Sequence, residues 1–138
     1  MREMTIKFPS PEWLQALFEK LNSDERYAQV AKSWEGDMLV VIEPTGLLND
    51  KLLYYLDLWH GKCRKIEIFK QMPSIMPKFI LTSNYTNISR IMKGELDPMQ
   101  AMLTRKLQVH GNMAYMMRNV PIVLDFVRCA REVTTEIL

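Results

Sequence analysis

The stretch Lys93–Met113, KGELDPMQAMLTRKLQVHGNM, decides how the rest of the chain is read. Asp97 is placed to cap a helix, Pro98 suits its first position, and Gln100 follows three residues after the cap. Leu107 and Val109 then alternate with Lys106, Gln108 and His110, the period of a short strand. Gly111-Asn112 breaks that strand and is placed to cap the next helix. Between these signals stand Met99, Met102, Leu103 and Met113. Adaptable apolar side chains around a strand suit an apolar pocket better than a reaction centre.

Upstream, Ser10-Pro11-Glu12 opens a helix, and Trp13, Leu14, Leu17, Phe18 and Leu21 form its apolar stripe. Asn22-Ser23-Asp24 ends that helix and starts a second, striped by Tyr27, Val30, Ala31 and Trp34. Glu35-Gly36-Asp37 reads as a turn. Strands are then predicted at Met38–Glu43, Leu52–His60, Cys63–Lys70 and Phe79–Thr82, with Leu107–Val109 as a fifth. Gly61-Lys62 marks a tight hairpin turn. The hairpin-length connections predict one largely antiparallel sheet, with the helices from Pro11 and Pro98 packed on it. Met38, Val40 and Ile42 oppose Leu39 and Val41, and Phe79 and Leu81 oppose Ile80. With apolar residues on both faces, something apolar must also cover the second face: helices, another subunit or a ligand.

Downstream of Asn84, Tyr85, Ile88, Ile91 and Met92 form a helical stripe that Gly94 can end. Met113, Met116 and Met117 share a face after Asn112. Asn119-Val120-Pro121 marks a break or kink, and Ile122 to Val133 continues as helix.

The 138 residues argue for one domain, 1–138, large enough for a core without metals or disulfides. With 18 basic and 16 acidic residues the charge is nearly balanced, so nucleic acid is not implied as a partner. No apolar run approaches the roughly 20 residues of a membrane span. Met1-Arg2-Glu3-Met4-Thr5 lacks the apolar core of a leader, which leads to a cytoplasmic expectation. Cys63 and Cys129 have no metal or redox spacing and read as small apolar residues. Eleven methionines are many for this length, and six of them fall between Met92 and Met117.

Chemistry is sparse. His60 and His110 have no carboxylate or cysteine at ligand spacing, so no metal is expected. No nucleophile elbow and no phosphate-binding glycine run is present. Asp57-Leu58-Trp59-His60-Gly61 alternates an acid with amphipathic aromatics, as at a cavity mouth or an exposed hairpin edge. Lys62, Arg64, Lys65 and Lys70 give the hairpin a basic tint that suits an anionic headgroup, a membrane surface or a solvated face.

The run Gly94–Ala101 followed by Lys106–Met113 resembles the Gly-x-Leu-x-Pro-Met-x-Ala and Lys-Leu-x-(Val/Leu)-x-Gly-Asn-Met runs of the sterol carrier protein type of lipid-transfer domain. The resemblance extends to the Trp13 helix, the Leu21-Asn22-Ser23 junction, Tyr27 and Trp34-Glu35-Gly36-Asp37. Leu56 to Cys63 is similar to the microbial stand-alone members. The family usually has Gly where this chain has Arg105, which points to a different local turn or to a charged group near the tunnel.

The resemblance implies an α+β fold, a five-stranded sheet and several helices around an apolar tunnel for a sterol, fatty acid, fatty acyl-CoA or isoprenoid-type ligand. The implied function is non-enzymatic lipid binding or transfer, with no cofactor. The alternatives are an accessory or dimerisation module that docks its apolar groove on an enzyme or second subunit, and an enzyme using Asp57 or His60 as acid-base. The expected apolar lining is Met92, Met99, Met102, Leu103, Met113, Met116, Met117 and Ile122. The expected polar mouth is Asp57, Trp59 and Arg105. The expected partners are a lipid or fatty acyl ligand, a transient membrane-surface contact and a homodimer.

Overall fold

The helices start where side chains satisfy otherwise spare backbone N–H groups. The computed structural model describes residues 5–138; Met1 to Met4, on which the leader reading rests in part, lie outside the described residues. Ser10 caps α1 (Pro11–Ser23) by accepting from the Trp13 N–H at 3.0 Å. Asp24 caps α2 (Glu25–Val30), Asn84 caps α3 (Tyr85–Met92), Asp97 caps α4 (Pro98–Leu103) and Asn112 caps α5 (Met113–Arg118) in the same way. The expected break at Asn119-Val120-Pro121 is the start of α6 (Val120–Val133). Pro121 stands in its first turn, where the missing N–H has no helical partner to lose.

The sheet has the expected five strands: β2 (Glu35–Glu43), β3 (Leu52–Trp59), β4 (Lys62–Phe69), β5 (Phe79–Asn84) and β6 (Gln108–His110), in the order β4-β3-β2-β5-β6. Three of its pairs are antiparallel, and β2–β5 is parallel. Glu35-Gly36-Asp37, read as a turn, is the start of β2, because it pairs with Asp57 to Trp59 across the ladder. A separate small pair joins the two ends of the described chain: β1 (Lys7–Phe8) runs parallel to β7 (Glu136–Ile137).

His60 and Gly61 both have positive φ, 49° and 77°, as a two-residue hairpin turn requires. Gly61 is also pressed against α2. A Cβ there would lie 2.7 Å from the Ala28 carbonyl oxygen. The Asn22 side chain ties α1 to β4 by donating to the Cys63 carbonyl at 2.9 Å and accepting from its N–H at 2.8 Å.

Alternation along the strands gives the sheet two different faces. Met38, Ile42, Tyr54, Leu56 and Leu58 join the main core with Trp13, Leu14, Leu17 and Leu21 of α1. Leu39, Val41 and Leu53 form a second, smaller cluster, flanked by Tyr55, Phe69 and Ile80. β4 is an edge strand, and β5 lies beyond β3 and β2, so residues 70–78 must cross the sheet. None of them is in the helical core, and on the other face Leu39, Val41 and Leu53 are 2% exposed or less, packed by Tyr55, Phe69 and Ile80. The outer side of this strap is apolar: Met72, Ile75 and Met76 are all exposed.

A polar knot joins α1, α2 and α6. Arg128 Nη2 donates to Asp24 Oδ1 at 2.6 Å and to Asp125 Oδ2 at 3.0 Å, and its Nη1 donates to Glu132 at 3.0 Å. Lys20 reaches Asp24 and Glu132, and Arg26 reaches Asp125. Asp125 is buried, yet among the described residues no buried side-chain nitrogen or oxygen lacks a partner. The Arg128 guanidinium, helped by the Tyr27 N–H, holds the Asp24 carboxyl well below the usual carboxylate range.

Candidate functional site: an apolar cavity between sheet and helices

The inward face of the sheet and the helices do not close on each other completely. A cavity of about 120 Å³ remains between them. Its floor is the sheet, through Met38, Val40, Ile42, Tyr54, Leu56 and Leu81. The roof comes from α3, α4, α5 and α6, through Ile88, Met92, Met102 and Met116 and the α6 residues Val123, Phe126 and Val127. Phe8 and Trp13 close one end.

No charged side chain lines this space. The polar edges of its tryptophans are tied off elsewhere: Trp13 Nε1 donates to Thr134 Oγ1 at 2.8 Å and Trp34 Nε1 to the Gly36 carbonyl at 2.8 Å. Burial pushes the Tyr54 phenol up to about 12 and raises that of Tyr27 as well, so both stay neutral at ordinary pH. A dry apolar cavity of about 150 Å³ holds a benzene-sized guest, so the resting space here fits a ring or a short chain segment. Four of its residues are methionines, Met38, Met92, Met102 and Met116, whose three rotatable bonds let the walls reshape.

A second depression opens at the surface between the end of α4 and β6. Arg105, Gln108, Val109 and Met113 line it, together with Met102 and Leu107, which also line the cavity. Those two side chains border both spaces.

Of the expected lining residues, Met92, Met102, Met116 and Ile122 line the cavity. Met99 is half-buried against the core, and Met113 faces the surface depression. Leu103 and Met117 point outward, at 65% and 39% exposure. The reason is that α4 is a six-residue helix whose buried face is Pro98, Ala101 and Met102, which turns Leu103 away. The α6 stripe of Val123, Phe126, Val127 and Ala130 was the missed signal. Its spacings of three and four put it on one face, and that face forms more of the roof than α4 does.

Asp57 and Trp59, expected at the mouth with Arg105, are not there. Alternation puts Leu56 and Leu58 inward, so Asp57 and Trp59 lie on the opposite face of β3. Arg64 donates to both Asp57 oxygens, at 3.1 and 3.2 Å, and its guanidinium lies 4.7 Å from the Trp59 ring centre. His60 stacks on Trp59 and pairs with Glu35 at 2.6 Å. These groups form an exposed hairpin edge and do not converge on the cavity.

Asp24, Asp125 and Cys129 are the one set of metal-type ligand atoms within reach of one another among the described residues. Arg128 already binds both carboxylates, and burial pushes the Cys129 thiol up to about 11, so the set is an ion pair beside an inert thiol. Burial pushes the Cys63 thiol to about 11 too. Among the described residues no helix is long and apolar enough to cross a membrane.

A mixed five-stranded sheet with six helices among the described residues, and an apolar cavity between sheet and helices, makes an α+β fold. Residues 14–123 match the SCP-2 sterol transfer family, and the chain belongs to that family. Two solved structures share its fold at a TM-score of 0.81. One is a conserved hypothetical protein from Thermus thermophilus described as a candidate sterol carrier protein, 26% identical, with 91% of this chain and 88% of that one covered. The other is a crystal structure of sterol carrier protein 2, 27% identical, with 91% and 98% covered. A palmitated sterol-carrier-like protein from Aedes aegypti matches at a TM-score of 0.58 and 13% identity, over 82% and 94% of the two chains, a likeness of fold. No curated protein sequence matches the chain.

Proposed function

We propose that this chain binds one lipid at a time in the cavity and carries it without transforming it. The observation that carries this reading is an apolar cavity inside a single chain, roofed by side chains that can move. An accessory or docking role would need an unpacked apolar helix. α6 instead buries Ile122, Cys129 and Ala130 against the protein's own core. Acid-base chemistry would need titratable groups poised near neutral pH at the cavity; its lining has no carboxylate, histidine or cation, and burial raises the phenols of Tyr27 and Tyr54. The proposed contacts are Met92, Met102, Met116 and Ile122, with Met99 and Met113 toward the surface, and a fatty acyl chain fits them best.

A chain-length series tests this. Each buried methylene contributes about 0.8 kcal/mol, about a fourfold gain in affinity. Fatty acids of increasing length, measured by displacement of a fluorescent fatty acid, should bind one per chain and tighten at about that step. The gain should stop where the reshaped cavity is full. Affinity independent of chain length would refute a cavity-bound acyl tail, and native mass spectrometry checks the one-to-one ratio.

Delivery also needs a membrane contact, and we assign it to the strap. Residues 71–77 carry no charge, expose Met72, Ile75 and Met76, and follow Lys70. Apolar tips beside a lysine suit the interface of an anionic bilayer. Met76 is 94% exposed, so Met76→Asp removes no packing inside the protein. It should slow lipid transfer between phosphatidylserine-containing vesicles about tenfold, the equivalent of about 1.4 kcal/mol. Affinity for free fatty acid should stay unchanged. Equal transfer rates would move the contact elsewhere on the surface.

A further inference from the structure

We infer that Arg105 holds an anionic headgroup at the mouth of the cavity, so that the ligand is a single-chain amphiphile with a carboxylate or phosphate head. This inference rests on the carrier reading above and names the chemistry of the ligand's polar end. Arg105 lines the surface depression, and Met102 and Leu107 border both that depression and the cavity. A head placed there leaves its chain pointing inward past two movable or marginal side chains.

The guanidinium is free to take this role. Arg105 is exposed, and none of the ion pairs among the described residues uses it. The nearest sequence neighbour with a charge, Lys106, is exposed as well and adds positive potential. The remaining walls of the depression, Gln108, Val109 and Met113, carry no charge. A planar guanidinium matches a carboxylate or phosphate through paired N–H donors.

The backbone makes the residue choice informative. Arg105 has φ 60° and follows Thr104, the C-cap of α4. Helix ends commonly place glycine at that position, since a Cβ is strained in the left-handed region. The turn therefore keeps the shape that glycine would give it, and the sequence differs by adding a charged side chain at this spot. A headgroup contact would offset the strain of a side chain in the left-handed region.

Arg105→Gly removes the charge and relieves the backbone, so the variant should fold with an unchanged or higher thermal midpoint. Three ligands of one chain length separate the cases: a fatty acid, a lysophosphatidic acid and the neutral fatty alcohol. In the native protein the two anions should bind more weakly as salt rises, and the alcohol should not respond. In Arg105→Gly the anions should lose about tenfold in affinity, with the alcohol unchanged and the salt dependence reduced to what Lys106 supplies. A larger loss for one anion identifies carboxylate or phosphate as the preferred head. An equal loss for acid and alcohol, or none for either anion, overturns the inference and leaves the carrier reading standing. A native protein that binds none of the three overturns both.

Discussion

Arg128→Met should lower the unfolding free energy by about 3 kcal/mol at pH 7, the lower end of the range of about 3–5 for breaking a buried ion pair. The lower end applies because the Arg128 side chain is still 22% exposed. Asp125 is 3% exposed, and among the described residues Arg26 would be its only remaining cation, at 3.2 Å from a largely exposed position. The same change takes from Asp24, which caps α2, its 2.6 Å bond to Arg128 and leaves it Lys20 at 3.1 Å as a cation partner. Urea unfolding followed by circular dichroism measures the loss, and a midpoint drop of about 1 M or more is expected for a chain of this size. The pH dependence has a definite sign. Asp24 has its carboxyl depressed in the folded state, mainly by Arg128. Its stabilisation is complete above the ordinary value near 3.8 and fades as pH falls below it. The gap between native protein and variant should therefore shrink in acid. A loss under about 1 kcal/mol at pH 7, or a gap that grows in acid, would mean the knot does not hold the three helices together.

Met102→Asp should abolish most lipid binding while leaving the fold in place. Met102 is 6% exposed and borders both the cavity and the surface depression. A carboxylate at this position can turn toward the depression and keep its water, so the penalty of a buried, unpaired charge is avoided. It still places negative charge beside the path of an acyl chain. Affinity for a fluorescent fatty acid should fall at least tenfold, with far-ultraviolet circular dichroism unchanged. Leu56→Asp supplies the contrast. Leu56 is 2% exposed on the sheet floor and borders the cavity alone, so its variant should lose most of its stability. If Met102→Asp unfolds as Leu56→Asp does, the position of Met102 has no access to water. If it folds and binds undiminished, α4 is not a wall of the site.

The strands and long helices were legible in the sequence because each carries a repeating signal. In the hairpin, β3 ends one residue before its expected limit and β4 is shifted by one residue at both ends, a close match because period-two alternation and the Gly61 turn both mark it. Glu35-Gly36-Asp37 was not legible as strand, because Gly and two acids are turn residues and only pairing with β3 overrides that. The two-residue strands β1 and β7 are too short to show any period. The site was legible in outline. Spacing alone grouped Met99, Met102 and Leu103, yet one turn of helix leaves its rotation undetermined, and packing on α6 buried Met102 and not Leu103. Asp57 and Trp59 looked like a mouth beside apolar neighbours, while the strand's alternation placed them on the other side of the sheet.

The pairing of β1 with β7 also bears on the order of events in folding. The β2–β3–β4 meander closes over short loops, which costs little chain entropy and goes quickly. The bond from the Ile6 N–H to Thr135 spans 129 positions, so this contact gains only after the intervening chain has condensed. Phe8 belongs to β1 and is also a wall of the cavity. Secondary structure and most of the core therefore precede the closed pocket, and competence to hold a guest is the last property the refolding chain acquires.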